Sequence, residues 1–271
     1  MKHDRRLHHI HLPAASNAGR SPLIFIHGGY VDGGCWAEHF LPFFQNHGHD
    51  SYAIDLSGHG GSEGRDRLDE FGLDDYAEDV AALAAQLDRP PILVGHSMGT
   101  AVATRYLESE LAPGAHAVAL LSPVPPFGMW GASVDLALKR PAFYSEMPKA
   151  LAGEFSERTL DVMRSVYFAP DAPKNELLEL ARLIQPESMR AIADMTFQAW
   201  YLPPPLPAIP ALVMGGEHDA LFPPHLLEFT ARRWNGQAEV AVVPGTGHLL
   251  MLERHWRAAA ERLATWLDSI H

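Results

Sequence analysis

Six short apolar runs punctuate the chain, each bounded by turn residues and followed by a helix-like pattern: Leu23 to Ile26, Tyr52 to Leu56, Ile92 to Val94, Ala117 to Leu121, Ala211 to Met214 and Val240 to Val243. Their hydrophobicity is continuous, as expected of strands covered on both faces. Repeated strand-then-helix units predict an α/β protein with a mainly parallel twisted sheet flanked by helices. The clearest helix spans Asp74 to Leu87. Tyr76, Val80, Leu83 and Leu87 share one of its faces, and Asp74, Asp75, Glu78 and Asp79 place negative charge in its first turns, where the helix dipole favours it.

The rhythm breaks between Val124 and Pro207, where helix-like patterns follow one another with no convincing strand. Pro123-Val124-Pro125-Pro126 precedes this region and Pro203-Pro204-Pro205-Leu206-Pro207 closes it. Such clusters stiffen the chain and stop regular structure, as hinges of an inserted subdomain would. The predicted organisation is a core of residues 1–123 and 208–271 with a helical cap inserted at 124–207. Five of the nine methionines lie in the insertion, together with Trp130, Trp200, Tyr201 and other aromatics. Most must pack its helices together, but methionine with aromatics also suits a deformable apolar pocket.

Composition narrows the class. With 271 residues and 47% hydrophobic against 20% charged residues, the chain can bury a sizeable core. A formal net charge of -12 repels phosphate backbones and anionic membrane surfaces, so nucleic acid is not an expected partner. Cys35 is the only cysteine, which excludes an intramolecular disulfide framework; beside Trp36 it reads as a small packed residue. No apolar stretch reaches signal-peptide or membrane-span length, and the expectation is a cytoplasmic protein, monomeric or homodimeric. His8, His9 and His11, like His47 and His49, lack the spacing of a zinc motif and read as structural or surface residues.

The chemistry concentrates at three turns. Ile92-Leu93-Val94 leads into Gly95-His96-Ser97-Met98-Gly99 and then into a helical pattern through Leu107, the setting of a nucleophile elbow. Small residues two positions either side of Ser97 are needed there because strand and helix backbones approach closely. A serine nucleophile needs a base, and the base needs an acid to hold its tautomer. Downstream, Gly215-Gly216-Glu217-His218-Asp219 and Pro244-Gly245-Thr246-Gly247-His248 follow two predicted strands, at the sheet edge where ligands of open α/β sheets gather.

These three turns resemble the catalytic loops of the α/β-hydrolase superfamily. His27-Gly28-Gly29-Tyr30 with Trp36, and Asp55-Leu56-Ser57-Gly58-His59-Gly60-Gly61-Ser62, agree too, although relatives commonly carry arginine where Ser57 stands. The resemblance implies Ser97 as nucleophile, Asp219 as acid in preference to Glu217, His248 as base, and an oxyanion hole from the backbone N–H groups of Gly29 and Met98. It implies neither metal nor organic cofactor. Tyr30, Met129 and Trp130 are candidate pocket residues. The expected activity is hydrolysis of an ester of a small or medium apolar substrate. Relatives that cleave carbon–carbon bonds, lactones or thioesters, or make peracids, use the same three residues, and some hydrolase-fold proteins are small-molecule receptors. Serine at the nucleophile position argues against the dehalogenase and epoxide hydrolase chemistries, which use aspartate.

Overall fold

A computed structural model describes residues 5–270 apart from 17–18, 110, 112, 198–203 and 235. Trp200, Tyr201 and Pro203 lie outside the described residues. Seven strands form one sheet: β1 (His9–Leu12), β2 (Leu23–Ile26), β3 (Ser51–Ile54), β4 (Ile92–His96), β5 (Ala117–Leu121), β6 (Ala211–Gly216) and β7 (Ala238–Val243). Their order is β1-β3-β2-β4-β5-β6-β7, with β1 antiparallel to β3 and every other pairing parallel.

Burial on both faces explains the continuous apolar runs of β2, β4, β5 and β6, whereas the run in the edge strand β7 is only partly buried, with Val242 47% exposed. In β2, Leu23 and Phe25 join one core cluster with Trp36, Phe40 and Phe44, while Ile24 and Ile26 join another with Tyr76, Val80 and Val102. Helices α1 (Phe40–Asn46) and α10 (Trp256–Ser269) cover the first face. Helices α2 (Leu73–Ala84), α3 (Met98–Glu108) and α9 (Leu227–Ala231) cover the second.

Strand β3 stops one residue before Asp55, because the Asp55 carboxylate is taken up by loops: it accepts the Gly33 and Gly61 N–H groups, each at 2.8 Å. Helix α2 ends at Ala84, and the next residues wind tighter, with Gln86 N–H and Leu87 N–H each bonded three residues back at 3.0 and 3.1 Å. The edge strand β1 has no counterpart among the apolar runs, since four half-polar residues form a strand only by pairing with β3.

Between β5 and β6 the chain forms α4 (Trp130–Lys139), α5 (Phe143–Leu151), α6 (Glu157–Tyr167), α7 (Lys174–Leu183) and α8 (Met189–Thr196). Ser156 and Ser188 open α6 and α8 as side-chain caps, accepting from Thr159 N–H and Ala191 N–H. Among the described residues no helix is long and apolar enough to cross a membrane.

Candidate active site

Ser97 sits between β4 and α3 with φ 49° and ψ −116°, a strained backbone that non-glycine residues rarely adopt. The flanking glycines make this possible. A Cβ on Gly95 would fall 2.4 Å from the Gly99 carbonyl oxygen, and one on Gly99 would fall 2.3 Å from that of Ile26. Ser97 is anchored by its N–H donating to Leu121 O at 3.0 Å and its carbonyl accepting from Thr100 N–H at 2.9 Å. Among the described residues its Oγ has no hydrogen-bond partner and opens onto a cavity. Nucleophile–base bonds of resting sites often tighten only as substrate binds.

The loops that carry Asp219 and His248 follow β6 and β7 and are laced together by Glu217 N–H to Val243 O at 3.0 Å and His218 N–H to Thr246 O at 2.8 Å. Asp219 Oδ2 accepts from His248 Nδ1 at 2.9 Å, and its Oδ1 accepts from Leu221 N–H and Phe222 N–H, both at 2.9 Å. Burial pushes the Asp219 carboxyl up, but His248, the Phe222 N–H and Ser122 outweigh it and hold the group below its ordinary value. An ionised Asp219 fixes the proton on His248 Nδ1 and leaves Nε2 as the acceptor. Glu217 is on the outside of the same turn, accepting the Gly245 N–H at 3.0 Å.

Several groups that hold His248 in place have no motif in the sequence. The His248 carbonyl accepts from His96 Nε2 at 2.9 Å and from Ser122 Oγ at 3.1 Å, while His248 N–H and Leu249 N–H both donate to Tyr167 O at 3.0 Å. Buried Glu253 accepts from Gly247 N–H at 2.7 Å and Ala169 N–H at 3.0 Å, tying the His248 loop to the segment after α6. Burial drives His96 down to about 3, reinforced by the neighbouring His248, so His96 is a neutral donor. A glutamate five residues past His248, or a histidine inside the elbow, gives no sequence signal of this role because the partners are backbone groups, most of them distant in the chain.

The loop after β2 closes the other side. His27 Nδ1–H donates to Gly28 O at 2.8 Å and its Nε2 accepts from Leu56 N–H at 3.2 Å, so the ring is neutral; burial and then His59 push it down to about 4. Gly28 has no room for a side chain, since a Cβ would lie 2.7 Å from His96 Nδ1. Among the described residues neither Gly29 N–H nor Met98 N–H has a hydrogen-bond partner. The latter opens α3, where the first amides of a helix have no internal acceptor.

A cavity of about 200 Å³ brings these parts together: Gly29, Tyr30, Ser97, Met98 and His248 line it on the sheet side, and Met129, Leu136, Met147, Tyr167 and Met195 from the inserted helices. Trp130 does not line it. Met129, which caps α4, and Ala132, Ser133 and Leu136 on that helix form the inward face, and Trp130, one residue on from Met129, is turned away, 62% exposed and stacked on Phe197.

A model of the alpha/beta hydrolase family matches residues 23–262. The chain belongs to this family. It is 40% identical over 111 residues to a non-heme chloroperoxidase from Streptomyces lividans, a match spanning 39% of this chain and 37% of that protein. It is also 29% identical over 248 residues to the dihydrolipoyllysine-residue acetyltransferase component of the acetoin cleaving system of Pseudomonas putida, covering 91% of this chain and 63% of that protein. Among solved structures, a thermophilic esterase from Thermogutta terrifontis superposes with a TM-score of 0.73 at 19% identity, covering 98% of this chain and 94% of that one.

Proposed function

We propose that the protein is a serine hydrolase that cleaves an ester of a small or medium apolar substrate through an acyl-enzyme on Ser97. The observation that carries this reading is the buried His248–Asp219 pair, 2.9 Å apart, opening onto the same cavity as a serine held at a strained elbow. His248 Nε2 takes the Ser97 proton as Oγ attacks the substrate carbonyl, and Asp219 stabilises the imidazolium that forms. The two unpaired N–H groups of Gly29 and Met98 receive the oxyanion. His248 then protonates the leaving alcohol, and water, deprotonated by the same ring, releases the acid and frees Ser97. Residues 124–207 act as a cap whose apolar side chains select the acyl group.

A second reading is perhydrolysis, favoured by the likeness to a non-heme chloroperoxidase: hydrogen peroxide replaces water as acceptor and the acyl-enzyme yields a peracid. One experiment tests both. Wild type and Ser97→Ala are assayed on short and medium p-nitrophenyl esters, with and without hydrogen peroxide, alongside fluorophosphonate labelling. Absence of Ser97-dependent turnover and of labelling overturns the serine hydrolase reading; peracid formation exceeding hydrolysis would favour the second.

A further inference from the structure

The segment joining α7 to α8 does more than connect two helices. Its Gln185 N–H donates to the Tyr30 carbonyl at 2.8 Å, and the Gln185 side-chain amide donates to Asp32 Oδ2 at 2.8 Å. Two residues on, the fully buried Glu187 carboxylate accepts the Tyr30 N–H at 3.3 Å on Oε2. Both backbone groups of Tyr30 are therefore held by one segment of the insertion. Tyr30 needs holding, because its φ of 67° is unfavourable for a residue with a bulky side chain. A Cβ on Gly29 would lie 3.6 Å from Glu187 Oε2, so the carboxylate lies against the residue whose N–H faces the oxyanion.

A buried carboxylate is retained only if its charge is answered. His59 Nε2 lies 3.1 Å from Oε2, Tyr76 donates its hydroxyl to Oε1 at 3.0 Å and Ser188 N–H donates to Oε1 at 2.7 Å. His59 Nδ1 faces the Ser57 carbonyl at 3.2 Å, so both ring nitrogens meet acceptors, the pattern of an imidazolium. Burial raises the Glu187 carboxyl, but His59, the Ser188 N–H and His27 more than offset this and keep it below its ordinary value. The pair is net neutral, which matters beside a site where negative charge develops.

We propose that Glu187 is a positioning residue for the oxyanion hole: its carboxylate, neutralised by His59 and clamped by Tyr76, fixes the Gly29–Tyr30 backbone from the inserted helices. The inference rests on the serine hydrolase reading for its effect on turnover, but not for the clamp itself. It also makes the insertion part of the catalytic apparatus as well as a wall of the pocket.

Glu187→Gln keeps the shape and one acceptor oxygen but loses the charge that holds His59. On p-nitrophenyl butyrate its kcat should fall about 10- to 100-fold with KM changed less than about threefold, the scale of losing a supporting contact to a reacting group. An alkyl trifluoromethyl ketone, which adds to Ser97 as a tetrahedral adduct, should lose affinity by a similar factor, whereas the matching methyl ketone should not. Glu187→Ala should lose more than Glu187→Gln. Amide hydrogen exchange at Tyr30 should quicken in both, a readout that needs no turnover. His59→Asn, which leaves the carboxylate without its counter-charge, should show the same split and serves if the Glu187 variants do not fold. Unchanged kcat and unchanged Tyr30 exchange overturn the proposal, as does equal weakening of the two ketones. If wild type shows no Ser97-dependent turnover, the hydrolase reading fails, while quickened Tyr30 exchange would still support the clamp.

Discussion

At the scale of single residues the site is a set of assigned protons. Asp219 holds one on His248 Nδ1, and His96, kept neutral by burial, gives its Nε2 proton to the His248 carbonyl. Asp219→Asn removes the charge and favours the wrong tautomer, so kcat should fall by about 10³- to 10⁴-fold with the circular dichroism spectrum unchanged. Glu253 answers a different measurement. Burial pushes it up to about 7 from 4.5, with two backbone N–H groups opposing, so the folded chain binds its proton more tightly than the unfolded chain. That contribution to stability is full below about pH 4.5 and is lost as pH rises through about 7. By urea unfolding, the stability of wild type relative to Glu253→Gln should therefore fall as pH rises across this window, by on the order of 2 kcal/mol. A constant difference would mean that Glu253 does not titrate there.

At the scale of elements, the elbow is a steric argument that the five-residue pattern already contains. Gly95→Ala would set a Cβ 2.4 Å from a backbone carbonyl that cannot move without displacing α3. It should cost about 3 kcal/mol or more by thermal unfolding, as overpacking against backbone does. Gly114→Ala is the informative contrast: its φ is 80° but nothing lies within 4 Å of the added Cβ, so the cost should be about 1 kcal/mol, the backbone strain alone. The strands on both sides of the elbow were legible for the same local reason, since doubly buried strands need unbroken apolar runs. Strand β1 was not, because His9 and His11 are stabilised by pairing with β3 and by the stack of His11 on Tyr52, with ring centroids 4.1 Å apart. Ser57 shows the same limit. Where relatives commonly carry arginine, its N–H and hydroxyl donate to Asp79 at 2.8 and 2.9 Å, and the cation on Asp79 is Arg5 from the N-terminal segment, at 3.1 Å.

At the scale of the whole molecule, the helices described between β5 and β6 turn an open sheet edge into a cavity of about 200 Å³. A pocket this small should accept acyl chains of about two to eight carbons and discriminate against much longer ones. Ala132→Trp, which would fill the α4 side of the cavity, should lower kcat/KM for hexanoate esters at least about tenfold while sparing acetate esters, since deleting room penalises only the chains that need it. Equal loss on both would place the acyl group elsewhere.

The amino-acid sequence by itself determined the elements that depend on local chemistry: the buried strands, the glycine-flanked turn at Ser97, and the two downstream loops carrying Asp219 and His248. Local patterns suffice there because continuous burial, backbone crowding and loop composition are properties of neighbouring residues. Only the tertiary structure decided what depends on residues distant in the chain. It turned Met129 inward and Trp130 outward by the register of one helix, brought Asp219 and not Glu217 to His248, and set Glu253 and Glu187 behind His248 and the Gly29–Tyr30 loop. Those two glutamates bind backbone amides as far as 84 and 157 residues away, contacts that no motif encodes because a backbone N–H is the same in every residue that has one.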